Sequence, residues 1–252
     1  MSEIALVTYD YETTGPEPKV DLPVQTAATL SIDGGDHLPI VHAISNPGKK
    51  IHPEAVKVHG ISQTMVLGYP HPSIIVWMLE SYVESLQDSG RLVIIAGHNH
   101  IRFDNVVSIN LGWEEIIDYP QIDTIILARR ANPTATNHKL SYTYQQAFGE
   151  ELTGAHDAMA DVLGVARLVD YYCEYFDMNY IELAEFCGTP QAMKVIPFGK
   201  HKGKTMKQAG YGFVRYMMQK TDIANTDADF LHTVRLEFPS LWEAHTGRDA
   251  GL

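Results

Sequence analysis

Only two cysteines, Cys173 and Cys187, occur in 252 residues. That is too few for a disulfide framework, and both read as partly buried free thiols. Long hydrophobic runs are missing too: the best, Leu92 to Gly97, is strand-length and far short of a membrane span. The opening Met1-Ser2-Glu3-Ile4 has neither the basic nor the apolar segment of a secretory signal. There is no internal repeat and no low-complexity tract, and 45% hydrophobic with 20% charged residues is an ordinary globular composition. These absences argue against a disulfide-stapled secreted scaffold and a helical membrane protein. They lead us to expect a soluble, cytoplasmic protein with no membrane partner. The length allows one large domain, or one with a small appendage.

Positive charge is scarce as well. A formal net charge of −12 argues against simple electrostatic wrapping of nucleic acid. The imbalance is uneven, however: residues 1–189 hold 10 of the 19 Lys and Arg but 25 of the 31 Asp and Glu. Beyond residue 189, Lys194, Lys200, Lys202, Lys204, Lys207, Arg215 and Lys220 follow one another with no acid among them. An acidic body with a basic appendage suits an enzyme that gathers metal cations at one place and phosphate at another. A merely solvated face would explain the lysines too.

Hydrophobic patterning predicts strands over Ile4–Tyr9, Gln25–Ile32 and Leu38–Ser45, with Asp33-Gly34-Gly35-Asp36 turning between the last two. Leu92–Ala96 reads as a strand buried on both faces. Helical spacing covers Ser73–Gln87, Asp104–Leu111, Asp123–Arg129, Leu140–Phe148 and Asp157–Tyr172, with short helices broken at Gly60 between Pro53 and Met65. An antiparallel opening followed by alternating strands and helices implies an α/β sheet of mixed direction, covered by helices. A boundary falls near Gly188-Thr189-Pro190, dividing a domain over 1–188 from a small basic module over 189–252.

Three separated pieces carry chemistry. Asp10-Tyr11-Glu12 ends the first strand, and alternate residues on a strand share a face, so two carboxylates meet there. Like charges that close are costly unless a cation lies between them, and hard divalent ions want oxygen ligands. Gly97-His98-Asn99-His100-Ile101-Arg102-Phe103-Asp104 leaves the buried strand and opens a helix, at the strand edge where α/β folds place ligands. His156-Asp157-Ala158-Met159-Ala160-Asp161 puts Asp161 one turn beyond Asp157, with His156 ahead of the helix. Each piece alone has a plainer explanation: a solvated strand end, a helix N-cap at Asp104 or Asp157, a structural histidine.

Taken together, Asp-x-Glu, Asn-x-x-x-Phe-Asp and His-x-x-x-x-Asp, in that order, resemble the DEDDh 3′→5′ exonucleases, a class that includes the proofreading exonucleases of replicative polymerases. The resemblance spans residues 4–175. Tyr9-Asp10-Tyr11-Glu12-Thr13, Asp21-Leu22-Pro23-Val24-Gln25 and Ala155-His156-Asp157-Ala158-Met159-Ala160-Asp161-Val162 are most similar to exonuclease I. Pro197-Phe198-Gly199-Lys200-His201-Lys202-Gly203-Lys204 resembles a small module at the end of exonuclease X-like proteins.

The resemblance implies a ribonuclease H-like, mixed five-stranded sheet flanked by helices. It also implies two Mg²⁺ ions, with Mn²⁺ as substitute, held by Asp10, Glu12, Asp104 and Asp161, with Asp10 bridging and His156 as general base. These five residues are the expected catalytic set. The substrate it implies is DNA with a free 3′ end, single-stranded by preference, released as 5′-mononucleotides. By the same resemblance Thr13, Thr14, Gly15 and His59 lie against the terminal nucleotide, Asn99 and Phe103 lie near the substrate, and Lys139 contacts a phosphate. In the tail, Lys200, Lys202 and Lys204 are candidate phosphate contacts, with Phe198 and Tyr211 as candidate stacking residues. An RNA-trimming enzyme and a non-catalytic nucleic-acid-binding scaffold remain as alternatives; intact acids and His156 weigh against the scaffold. No protein partner can be named from the sequence.

Overall fold

The computed structural model describes residues 2–249. Five strands form its sheet: β1 (Ile4–Thr13), β2 (Pro23–Ile32), β3 (Leu38–Ile44), β4 (Leu92–Gly97) and β5 (Gln121–Asp123). Their order is β3-β2-β1-β4-β5; β1, β2 and β3 are antiparallel neighbours, while β4 runs parallel to both β1 and β5. The helices of this part are α1 (Pro53–His59), α2 (Pro72–Asp88), α3 (Asp104–Asn110), α4 (Thr124–Ala131), α5 (Leu140–Phe148), α6 (Ala158–Phe176) and α7 (Tyr180–Gly188). Among the described residues no helix is long and apolar enough to cross a membrane.

Past Gly60 the chain turns instead of forming the second short helix expected before Met65, and α7 had no counterpart in the sequence reading; two further differences shape the site. β1 does not stop at Asp10 but continues to Thr13, because Tyr11 and Glu12 pair with Thr26 and Gln25 of β2. Pairing, rather than residue propensity, sets the end of this strand. Asp123 does not open a helix: Gln121–Asp123 pair with Ile95–Gly97 as the fifth strand, and α4 begins at Thr124. Three residues are too few to display a period of two.

Alternation along β1 sorts its side chains by face. Ala5, Val7, Tyr9 and Tyr11 join Val76, Leu79 and Val83 of α2, Val107 of α3 and Trp113 in one core. On the other face α6 packs across β1 and β2, where Ala158 and Val162 meet Ala27. Asp10 and Glu12 therefore emerge on the α6 side. The amphipathic α2 buries Ile75, Val76, Leu79, Val83 and Leu86, each worth about 1.5–3 kcal/mol when removed from water.

The chain divides into two compact units, one comprising the chain up to Ile126 together with Lys139–Gly188, the other Leu127–His138 together with the chain from Thr189 onward. The division thus falls within α4, and the second unit borrows a segment that a boundary near Gly188 leaves in the first. Its further helices are α8 (Met206–Ala209), α9 (Tyr211–Lys220), α10 (Ile223–Thr226), α11 (Ala228–Glu237) and α12 (Pro239–Asp249). Ile196, Met206, Val214, Phe230, Val234 and Leu241 form its own core. Arg130 ties the borrowed segment in: its Nε and Nη2 donate to the two oxygens of Asp229 at 3.0 and 2.7 Å.

Candidate active site

The acidic face of β1 and the start of α6 converge. Ligand atoms of Glu12, His156 and Asp161 all lie within 4.8 Å of one another. Glu12 and Asp161 are each only 9% exposed, so their charges are poorly solvated. Burial, and then the neighbouring charges of Asp10, Asp161 and Asp157, push the Glu12 carboxyl up to about 9. Burial together with the Asp161 charge pushes Asp10 up to about 8. Asp104 is raised well above the usual carboxylate range by burial and by Asp10, although the Tyr11 amide donates to it at 3.1 Å. Asp161 is raised by burial against the 3.2 Å bond it accepts from the His156 amide. Carboxylates crowded in this way at one end of a sheet resist ionisation together, and a divalent cation removes the conflict. The carboxylate donors are hard oxygens, a set that suits Mg²⁺ or Mn²⁺, and the His156 imidazole stands beside them.

The geometry of each piece has a local cause. Asp157 caps α6, accepting from the Met159 and Ala160 amides at 3.1 and 3.3 Å. His156 precedes it at φ 72°, a left-handed conformation in the turn that leads into α6. Asp104 occupies the first turn of α3 rather than the N-cap, which is Phe103. Helix α3 is fastened to β1 by Tyr9, whose hydroxyl donates to Asn105 at 2.6 Å, and by Tyr11, whose hydroxyl lies 2.9 Å from that of Ser108.

Sequence reasoning gave Asp123 no role and named Gln25 only within the motif that carries the resemblance. Asp123, 1% exposed, accepts from the amides of Asn99 at 2.7 Å and Ile125 at 3.1 Å. It thereby pins the loop that leads to Asp104, with Asn99 at φ 64°. At the base of that loop Gly97 leaves no room for a side chain: a Cβ would stand 2.5 Å from that of His100. The only sequence signal was the polar pair Gln121 and Asp123 flanking a buried isoleucine.

Beside Glu12 opens a cavity of about 950 Å³. Of the expected substrate residues it is lined by Thr13, Gly15, His59 and Phe103, together with Val20, Val58, Lys49, Lys50 and His52. Its size suits a nucleotide. His59 is held in one tautomer: Nδ1 accepts from the Ile61 amide at 3.0 Å, leaving Nε2–H facing the Thr13 carbonyl at 3.2 Å. Burial lowers its pKa. Thr14, Asn99 and Lys139 are not among the lining residues. Thr14 is fully buried and its polar groups are engaged: its hydroxyl donates to Asp21 at 2.6 Å, its amide to Leu22 at 2.9 Å, and its carbonyl accepts from His52 at 2.8 Å. Lys139 is an exposed residue capping α5.

In the second unit, residues 196–204 form a loop closed by two backbone bonds between Ile196 and Lys204 or Gly203, at 2.8 and 2.9 Å. Lys200 and Lys204 are exposed on it, whereas the Lys202 ammonium donates to the Thr136 carbonyl. Phe198, a candidate for stacking on bases, instead packs against the core of this unit because the loop turns it inward. Tyr211 stays 51% exposed.

Residues 7–169 match the family model described as exonuclease. The DNA polymerase III PolC-type protein of Bacillus subtilis is 28% identical over 174 residues, 67% of this chain and 11% of that protein. The PolC-type protein of Thermotoga maritima is 29% identical over 133 residues, 50% of this chain and 9% of its own length. The chain thus spans about a tenth of the curated relatives it matches. Among solved structures, E. coli exonuclease I in complex with a dA16 oligonucleotide superposes with a TM-score of 0.57 at 21% identity, covering 74% of this chain and 43% of that one. Exonuclease I with a dT13 oligonucleotide gives 0.55 at 22%, covering 70% and 43%. At that identity the likeness establishes a shared, ribonuclease H-like fold.

Proposed function

The chain belongs to the exonuclease family, and on that footing we propose that it is a divalent-metal-dependent 3′→5′ exodeoxyribonuclease acting on single-stranded DNA. The observation that carries this reading is the meeting of Glu12, His156 and Asp161 within 4.8 Å, beside a nucleotide-sized cavity. The polymerase relatives and the oligonucleotide complexes of exonuclease I support DNA as the substrate class.

In this reading Asp10, Glu12, Asp104 and Asp161 hold two divalent cations, which when bound supply Lewis acidity to the scissile phosphate and lower the pKa of attacking water. His156 is exposed to solvent, near Glu12 and Asp161, and takes the proton from that water. The hydrogen bond its backbone N–H donates to Asp161 keeps backbone and acid in register while the ring moves the proton. Thr13, Gly15, His59 and Phe103 line the groove that receives the terminal nucleotide, with Val58 as an apolar wall. Asn99 and Lys139 stand outside that groove and act on the strand beyond the terminal residue. Thr14 supports the loop from within. The basic unit, through Lys200 and Lys204, contacts nucleic-acid phosphates.

The test is digestion of a 5′-labelled single-stranded DNA, with a matching RNA, in Mg²⁺ and in EDTA. A ladder shortening from the 3′ end, absent in EDTA and much weaker on RNA, is the expected result. Preference for RNA would transfer the reading to an RNA-trimming enzyme. Intact strands of both kinds in Mg²⁺ and Mn²⁺ would leave a binding scaffold.

A further inference from the structure

We propose that Gln25 is a positioning residue, whose single carboxamide sets the strand bearing Glu12 against the turn and helix bearing His156 and Asp161. This rests on the reading of that cluster as the metal and proton-transfer site. Gln25 lies opposite Glu12 in the β1–β2 ladder and is 6% exposed. Its Oε1 accepts from the Ala158 amide at 3.1 Å, and its Nε2 donates to Asp157 Oδ2 at 3.1 Å. The other Asp157 oxygen takes the amides of Met159 and Ala160. Three of the N–H groups that the start of α6 cannot satisfy internally are thus met by Gln25 and by the acid that Gln25 orients.

Only a carboxamide fits this place. It must donate to an anion and accept from an amide through two atoms of one rigid plane. Leucine offers neither function, and glutamate would set a second anion against Asp157. The titratable groups around it are Asp157, His42, whose Nε2 is 3.0 Å from Gln25 Nε2, and Glu12 on the neighbouring strand. Hydrogen bonds from Gln25, Ala160 and Met159, with the nearby His42 charge, outweigh burial and lower the Asp157 pKa, keeping it the anion that Gln25 grips. Between this clamp and Asp161 lies a single helical turn, and His156 sits on its entering side at φ 72°. Loosening the clamp frees the turn without touching a metal-binding carboxylate.

Two variants test this in the full chain. Gln25→Leu is expected to fold, and to lose about tenfold or more in both kcat on single-stranded DNA and calorimetric Mn²⁺ affinity without DNA, with KM within about twofold. Gln25→Glu is expected to recover Mn²⁺ affinity, relative to wild type at the same pH, as pH falls and a neutral glutamic acid again donates and accepts. Wild-type kcat and Mn²⁺ affinity in folded Gln25→Leu would overturn the assignment. If Gln25→Leu does not fold, a Gln25→Glu affinity equal to wild type at every pH overturns it instead. A wild-type protein that binds Mn²⁺ but cuts nothing would defeat the nuclease reading alone, and the Mn²⁺ comparison would still decide Gln25.

Discussion

The end of β1 and the loop at residues 196–204 carry opposite charge and are built in opposite ways. Asp10, Glu12, Asp104 and Asp161 sit on a strand and two helix starts and are fixed by backbone amides and cross-strand pairing. Their charges are crowded and poorly solvated, so the folded protein bears a cost there that no packing gain at the same atoms offsets. Lys200 and Lys204 project from a turn into water, where a lysine costs nothing and needs no partner. An arrangement that costs stability points to chemistry far more strongly than one that is free. That is why the acids anchor the functional reading while the lysines extend it.

The largest expected effect falls on the acids. Asp10→Ala or Asp161→Ala should reduce single-turnover cleavage by about 10³-fold or more, equivalent to several kcal/mol of lost transition-state stabilisation. Cleavage within tenfold of wild type would erase the contrast between the two regions. His156→Ala should cost about 10²–10⁴-fold in rate while Mn²⁺ binding persists, since its task is proton transfer. Loss of Mn²⁺ binding in that variant would make His156 a ligand instead.

The same crowding predicts an unusual pH response. Asp10 at about 8 and Glu12 at about 9 lie above their ordinary values of 3.8 and 4.5, so the metal-free fold gains stability from keeping both protonated. That gain is complete below about pH 4 and is lost as pH rises towards 9, a span worth at least about 1 kcal/mol. Thermal melts in EDTA should therefore fall across that window, and Glu12→Gln should flatten the slope. Melts that rise steadily with pH would mean the acids are better solvated than their burial implies. The smallest effect belongs to the lysines: Lys200→Ala with Lys204→Ala should lower the salt slope of single-stranded DNA binding by about 0.7 for each phosphate no longer neutralised. An unchanged slope would make the loop a solvated face.

Much of this contrast was legible in the sequence. Asp-x-Glu on a strand, the helix opened by Asp104 and the His156–Asp161 spacing each follow from local periodicity, and Glu12, His156 and Asp161 come within 4.8 Å of one another. Less legible was what depends on pairing or tertiary packing. The extension of β1 to Thr13 comes from β2, and β5 is too short to carry a pattern. The positive φ of His156 has no residue-type signal, since glycine or asparagine is the usual occupant of that region. Gln25 stands in a motif that carries the resemblance, but no role follows from that until its amide is seen to meet Asp157, 132 positions away. Phe198 was placed by the core it joins, which no local motif encodes.

The most direct test of the central claim is calorimetric titration of Mn²⁺ into the metal-free protein near pH 7.5, in two buffers of different ionisation enthalpy. Carboxyls held protonated by burial and mutual repulsion must release protons when a cation displaces them. The expected result is binding accompanied by proton release, with both signals lost in Asp10→Ala. No binding, or binding that survives Asp10→Ala, would contradict the claim that this acidic cluster is a cation site; Asp10-dependent binding without proton release would contradict only the protonation of its carboxyls.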